Sequence, residues 1–264
     1  MCLKKLRSVA IRAAQKVYPS LGLRDSDIIL ASFPKSGNTW MRFIWANMVS
    51  LMELDGREID FKYLDSDLIA EYDSHSYGEV EFDCLPRIVK THRVYDSRAF
   101  GENRKIYIVR HPGDVAVSFF EYLKAQVGCD VGKYGLKRFI RDKEHGVPAW
   151  CEHVQDWRSE ADVVVKYEEM KAATEATVHR ILQQLELCHV DGSTVRKAVK
   201  RSSFQVLRSA EEEKGRPRED KFDSDYRFMR SGTTGEWKDQ FDEEDKKYLK
   251  YQVRRYNINK IYNI

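Results

Sequence analysis

Four groups of residues have the types and spacing to do chemistry. The first is Pro34-Lys35-Ser36-Gly37-Asn38-Thr39-Trp40, where a basic turn separates an apolar run from a helical pattern. A strand, a tight turn and a helix start together attract an anion, through free backbone N–H groups and the positive end of the helix dipole. Lys35 adds a mobile charge, and Ser36, Asn38 and Thr39 add neutral donors. The pattern is not a Walker A loop, which needs Gly, four residues and then Gly-Lys-Ser/Thr. Lys35 precedes the loop's only glycine. The tighter loop suits a terminal phosphate-like group, although a polar strand-to-helix turn with an exposed lysine has the same residues.

The second group is Lys90-Thr91-His92. A histidine just past the carboxyl end of a strand lies where α/β folds collect their sites, and its ordinary pKa suits general base work. If the strand persists, Lys90 shares a side with His92, while Thr91 faces away. The chain has seven histidines, so a structural role fits this one equally by type. The third group is Arg110 with Ser118, two helical turns further on. Arginine is the preferred fork for a phosphate oxyanion, and pairing with Asp114 is the alternative use of the same side chain. The fourth is Phe228-Met229-Arg230-Ser231-Gly232-Thr233-Thr234-Gly235-Glu236-Trp237-Lys238, where Gly232 and Gly235 let backbone approach a ligand and Arg230 supplies a second guanidinium.

The elements that must position these residues follow from the hydrophobic pattern. Ile28 to Phe33, Arg87 to Lys90, Lys105 to Val109 and Val163 to Tyr167 read as strands, the last two of the buried type. Helical patterns cover about 39–54, 134–143, 149–159, 169–187, 194–201 and 242–256, and another starts near Val115. Alternation of strands and helices predicts an α/β fold with a central, mostly parallel sheet flanked by helices. No repeat or linker interrupts residues 1–264, which predicts a single domain. Residues 3–18, within an opening segment 1–22, read as a basic amphipathic helix ending near Pro19 and Gly22. The charged segment 209–227, with Gly215 and Pro217, predicts a long mobile surface segment.

Composition narrows the function classes. The 264 residues are 42% hydrophobic and 33% charged, an ordinary soluble balance. A net charge of +3 is too mild to argue for nucleic acid. No apolar run approaches the roughly 18–20 residues of a membrane span. Cys2, Cys84, Cys129, Cys151 and Cys188 are odd in number and never form C-x-x-C, which fits reduced thiols in a cytoplasmic protein and no zinc site. Between Tyr63 and Pro86 the chain carries Asp65, Asp67, Glu71, Asp73, Glu79, Glu81 and Asp83 and no Lys or Arg.

Taken in order, Pro-Lys-Ser-Gly-x-Thr-Trp, Lys-Thr-His, Arg110 with Asp-Val-Ala-Val-Ser, and Arg-x-Gly-x-x-Gly-x-Trp-Lys resemble the soluble sulfotransferases that use 3′-phosphoadenosine 5′-phosphosulfate (PAPS). Supporting stretches are Trp150 to Trp157, Tyr167-Glu168-Glu169-Met170 and Ser202-Ser203-Phe204. The resemblance implies that Lys35, Ser36, Gly37, Asn38 and Thr39 hold the 5′-phosphosulfate. It implies that Trp40, Phe204 and Tyr167 surround the adenine, with Ser202 nearby. Arg110, Ser118, Arg230, Ser231 and Gly232 would take the 3′-phosphate. His92 would accept the acceptor's proton, with Lys35 near the bridging oxygen and Lys90 steadying the transferring group. No metal is expected, and the partner is a small-molecule acceptor bearing a hydroxyl, with nitrogen open. The acidic stretch, placed where the family builds part of its acceptor pocket, predicts a cationic acceptor. An ATP-dependent kinase and a non-catalytic nucleotide binder are the alternative functions. Asn38 and Ser231 depart from the family's usual Thr and Lys, and the dimer motif expected from Lys238 is absent, which predicts a monomer or a non-standard dimer.

Overall fold

The computed structural model describes residues 22–72, 82–215 and 219–262. The predicted N-terminal helix lies outside these residues, as do Asp73, Glu79 and Glu81 of the acidic stretch.

Five strands form one sheet: β1 (Ile28–Ser32), β2 (Ala70–Glu71), β3 (Ile88–Thr91), β4 (Arg104–Val109) and β5 (Val163–Lys166). Their order is β2-β3-β1-β4-β5 and every pairing is parallel. The sheet is thus wholly, not mostly, parallel. Parallel strands need both faces covered, which is why β1 is apolar without alternation and buried along its whole length.

The period of two still decides which layer each side chain joins. Ile28, Leu30, Ile88, Ile106, Ile108, Val163 and Val165 pack into one cluster. On that side lie helices α1 (Asn38–Glu53), α4 (Thr174–Gln184) and α5 (Gly192–Arg201). Ile29, Ala31, Val89, Tyr107 and Val109 face the other cluster, with α2 (Pro112–Lys124), α3 (Val147–Trp157) and α7 (Glu243–Arg255). Helix α6 (Phe204–Lys214) runs close to the site.

Two predicted elements differ. The single helix over 169–187 is broken: a short helix Tyr167–Ala172 ends at Ala173 (φ −145°, ψ 64°), and α4 begins at once. The first part of the charged segment 209–227 is the end of α6, not loop. Its signal is faint because only Leu207 and Glu211 of the helix are buried. Glu211 is there for its carboxylate, which accepts from the backbone N–H groups of Phe228 (2.6 Å) and Met229 (2.8 Å).

Beneath the site, His153 of α3 is 2% exposed and lies 2.9 Å from the Tyr107 hydroxyl. Burial lowers its pKa from 6.5 to about 4. The folded protein therefore binds this proton less readily than the unfolded chain does, and the difference destabilises the fold as pH falls from 6.5 towards 4. Urea unfolding at pH 5 should show a loss of about 2 kcal/mol from this group relative to pH 7. The pH 7 to pH 5 loss should be smaller in His153→Gln.

Candidate active site

Strand β1 ends at Ser32, and the next residues turn sharply into α1. Lys35 adopts φ 65° and Gly37 φ 104°. At Gly37 the left-handed backbone and the space agree: an added Cβ would lie 2.5 Å from the Tyr167 ring. Helix α1 then starts at Asn38 with no side-chain cap and no acidic residue in its first turn. Uncapped N–H groups and the dipole remain for an anion. The Asn38 amide donates to Leu30 O and Ser32 Oγ, both at 3.2 Å, and its Oδ1 is buried without a partner.

A cavity of about 480 Å³ opens over this loop at the carboxyl ends of the strands. It is lined by Lys35, Gly37, Asn38, Thr39, Trp40, Lys90, His92, Arg110, Ser118, Tyr167, Phe204, Arg230, Ser231 and Gly232. The structure thus brings together on one wall residues from every part of the sequence-derived set. Ser36 and Ser202 are fully buried and do not line it. Ser202 lies behind Trp40: its carbonyl accepts from Trp40 Nε1 (2.9 Å), and its hydroxyl accepts from the Asn47 amide (3.1 Å). Ser202 and Asn47 therefore set the plane of Trp40.

Arg110, at the end of β4, is 8% exposed. Its guanidinium donates to Lys35 O (3.2 Å) and Thr233 O (2.9 Å), lies 4.5 Å from the Tyr167 ring centroid, and keeps a buried Nε without a partner. It does not pair with Asp114. That carboxylate is 3% exposed and accepts from the backbone of Gly235 (2.7 Å) and Trp237 (3.4 Å), pinning the glycine-containing segment to the start of α2. Within the segment Arg230 pairs with Glu236, whose pKa is held down at about 2. Burial opposes that shift, but hydrogen bonds from Thr233, Arg230 and Ser231 outweigh it. Gly232 has φ 62° and an added Cβ there would meet the Phe204 ring at 2.6 Å.

His92 Nδ1 lies 2.7 Å from Ser32 O. A carbonyl only accepts, so Nδ1 carries the proton and Nε2 keeps its lone pair. Burial, and then the charge of Lys90, lower the His92 pKa to about 3, against the pull of the Ser32 carbonyl. Lys35 Nζ rests 4.6 Å from the Tyr122 ring centroid and 4.1 Å from that of Phe228. Such contacts are worth about 1–2 kcal/mol, little enough for an anion to displace.

Several lining residues carried no sequence signal of their own. Phe61, Phe119, Tyr122 and Phe222 look like ordinary core or loop aromatics. Tyr122 follows Ser118 by one helical turn, which was the available clue. Arg42 and Asp65 pair at 2.6 Å, and Lys90 and Glu71 at 2.8 Å, so two carboxylates of the acidic stretch reach the cavity wall. Among the described residues, no cluster of His, Cys, Asp and Glu could hold a metal ion.

A parallel sheet whose central strand feeds an anion loop, with a fixed-tautomer histidine lining the same cavity, makes an α/β protein with an anion site at the carboxyl edge of its sheet. Residues 25–256 match the family model described as sulfotransferase domain, and the chain belongs to that family, the PAPS-dependent sulfotransferases. Sulfotransferase 2A6 of Rattus norvegicus is 28% identical, over 86% of this chain and 83% of its own. Cytosolic sulfotransferase 12 of Arabidopsis thaliana is 27% identical, over 83% and 74%. Among solved structures, mouse sulfotransferase SULT7A1 complexed with PAP superposes with TM-score 0.67 at 22% identity, covering 89% of this chain and 85% of that one. Retinol dehydratase in complex with androsterone and inactive cofactor PAP gives TM-score 0.67 at 19% identity, covering 89% and 81%.

Gly37→Ala combines backbone strain with a collision against Tyr167. It should weaken binding of adenosine 3′,5′-bisphosphate at least about tenfold by calorimetry, with the far-UV circular dichroism of the fold retained.

Proposed function

We propose that this protein moves a sulfuryl group from PAPS to a hydroxyl of a small-molecule acceptor, with His92 as general base. The observation that carries the reading is the His92–Ser32 hydrogen bond, which leaves Nε2 unprotonated on a residue that lines the cavity together with Lys35 and Lys90.

The residues present fit the donor. The cradle at Gly37, which a Cβ would fill, and the uncapped start of α1 suit the 5′-phosphosulfate, with the Lys35 ammonium, the Thr39 hydroxyl and the backbone N–H groups of Ser36 and Asn38 as donors. Trp40, Tyr167 and Phe204 offer aromatic faces for adenine. Arg110, with its orphaned Nε, would take the 3′-phosphate with Ser118, Arg230, Ser231 and Gly232. When bound, the donor supplies an activated sulfuryl group on a phosphate leaving group. His92 Nε2 takes the acceptor's hydroxyl proton as the new oxygen–sulfur bond forms and the old one breaks. Lys35 would exchange its aromatic contacts for the charge on the phosphate leaving group, and Lys90 would steady charge on the transferring group. Nothing in this scheme requires a metal.

The acceptor end favours a cation. Of the two ion pairs on the wall, the carboxylates are the more exposed partners, Asp65 at 43% and Glu71 at 33% against 8% for Arg42 and 16% for Lys90. The same cavity already seats one ammonium, that of Lys35, against aromatic faces. An alcohol or phenol carrying an ammonium or guanidinium group matches this wall, and amines are the second class to screen. The chain acts in the cytoplasm, as a monomer or a dimer through another surface. That reading is supported by four unpaired cysteines among the described residues, and by Lys238 lying in a short helix, Trp237–Gln240, that is followed after two residues by α7.

His92→Ala should lose at least about a hundredfold in kcat while calorimetry shows unchanged bisphosphate binding. Arg110→Ala should lose that binding. Preference for ATP with Mg²⁺ would return the chain to the kinase reading, and an active His92→Ala would remove the base. Because the His92 pKa is depressed to about 3, the free enzyme's kcat/KM should show no fall near pH 6.5 on acidification. For the acceptor, Asp65→Asn should lower kcat/KM about tenfold more for an ammonium-bearing phenol than for the matching neutral phenol.

A further inference from the structure

The pairing of Glu71 with Lys90 places a carboxylate directly on a residue assigned to the transfer step. Strand β2 is two residues long, and its register sets Glu71 opposite Lys90. The backbone N–H of Tyr72 donates to Lys90 O at 3.0 Å, which fixes the two residues side by side. The side chains then meet at 2.8 Å on the cavity wall. An ammonium has three N–H donors and no acceptor. With one donor held by Glu71, the remaining two are turned in a defined direction.

We propose that Glu71 is a positioning residue for the transfer: it holds the Lys90 ammonium charged and oriented beside His92, and for an acceptor that carries no cation it acts on the reaction only through Lys90. This rests on the reading of Lys90 as the group that steadies the transferring oxygens.

The surroundings make such a partner necessary. The charges of Arg42, on α1, and of Asp65, in the turn at Leu64–Leu68, both act on Lys90. His92 follows it on its own strand. Burial, and then the charge of Arg42, push the Lys90 pKa down, and Glu71 and Asp65 hold it up. Asp65 is already engaged by Arg42, so Glu71 is the carboxylate in direct contact with Lys90. Burial also opposes ionisation of Glu71 itself, but Lys90 and Arg42 more than offset it, and its pKa is lowered. Without Glu71, a desolvated lysine next to a guanidinium would shed its proton more readily. A neutral amine would give little stabilisation to anionic oxygens.

The test is a cycle of Glu71→Gln and Lys90→Met, read by kcat, its pH profile and bisphosphate affinity. Glu71→Gln should lower kcat on the order of tenfold to a hundredfold, with bisphosphate affinity unchanged. Its alkaline limb should move to lower pH by about one unit, because the carboxylate that raised the lysine pKa is gone. Glu71→Asp should restore part of both. In the Lys90→Met background Glu71→Gln should cost nothing further. An unchanged kcat and pH profile in Glu71→Gln, or a full additional loss in the Lys90→Met background, overturns the proposal. Full activity in Lys90→Met would remove the role of Lys90 and the proposal with it, while loss of bisphosphate binding in every variant would point instead to a failure of the donor-site reading.

Discussion

Everything at the site depends on the parallel pairing of β1 with β3 on one side and β4 on the other. Parallel strands end at the same edge of a sheet. Three neighbouring strands therefore deliver the Lys35 loop, His92 and Arg110 to one edge, although long stretches of chain separate them. The ladder also supplies chemistry, since the last carbonyl of β1, that of Ser32, fixes the tautomer of His92. A strand that slipped by one residue would turn Lys90 away from the cavity and break that bond as well.

Several charges around this edge are answered in place. Arg42 is answered by Asp65, Lys90 by Glu71 and Arg230 by Glu236, and Lys35 rests on aromatic rings. A cavity that must bind an anionic nucleotide needs cations, and cations left alone in a partly dry site lose protons or repel each other. Pairing keeps them charged and in place until the anion arrives. Asp114 does the corresponding work for the backbone, holding the segment from Arg230 to Trp237 over the cavity without touching its contents.

Much of this was readable in the chain. The buried strands, the basic loop, the histidine after β3 and the glycine-containing segment all announced themselves by residue type and short spacing. The acidic stretch was visible as a run of charge, but its use was not. Asp65 and Glu71 face cations set by helix packing and strand register, and neither partner is close in sequence. Helix α6 carries little apolar period, because its one buried acid, Glu211, serves a distant turn. The resemblance puts Ser202, in the stretch Ser202-Ser203-Phe204, among the ligand-binding residues. That serine turns inward instead, and sets Trp40 through its carbonyl.

The amino-acid sequence by itself determined the fold class, the anion loop and the order in which the chemical groups occur along the chain. Those properties rest on local periodicity, on the φ freedom of glycine and on side-chain chemistry, which act over a few residues. Only the tertiary structure decided which carboxylate answers which cation, which nitrogen of His92 carries the proton, and which serines reach the cavity. Those depend on distances between residues far apart in sequence, set by strand register and helix packing, and electrostatic and hydrogen-bond energies change steeply over such distances.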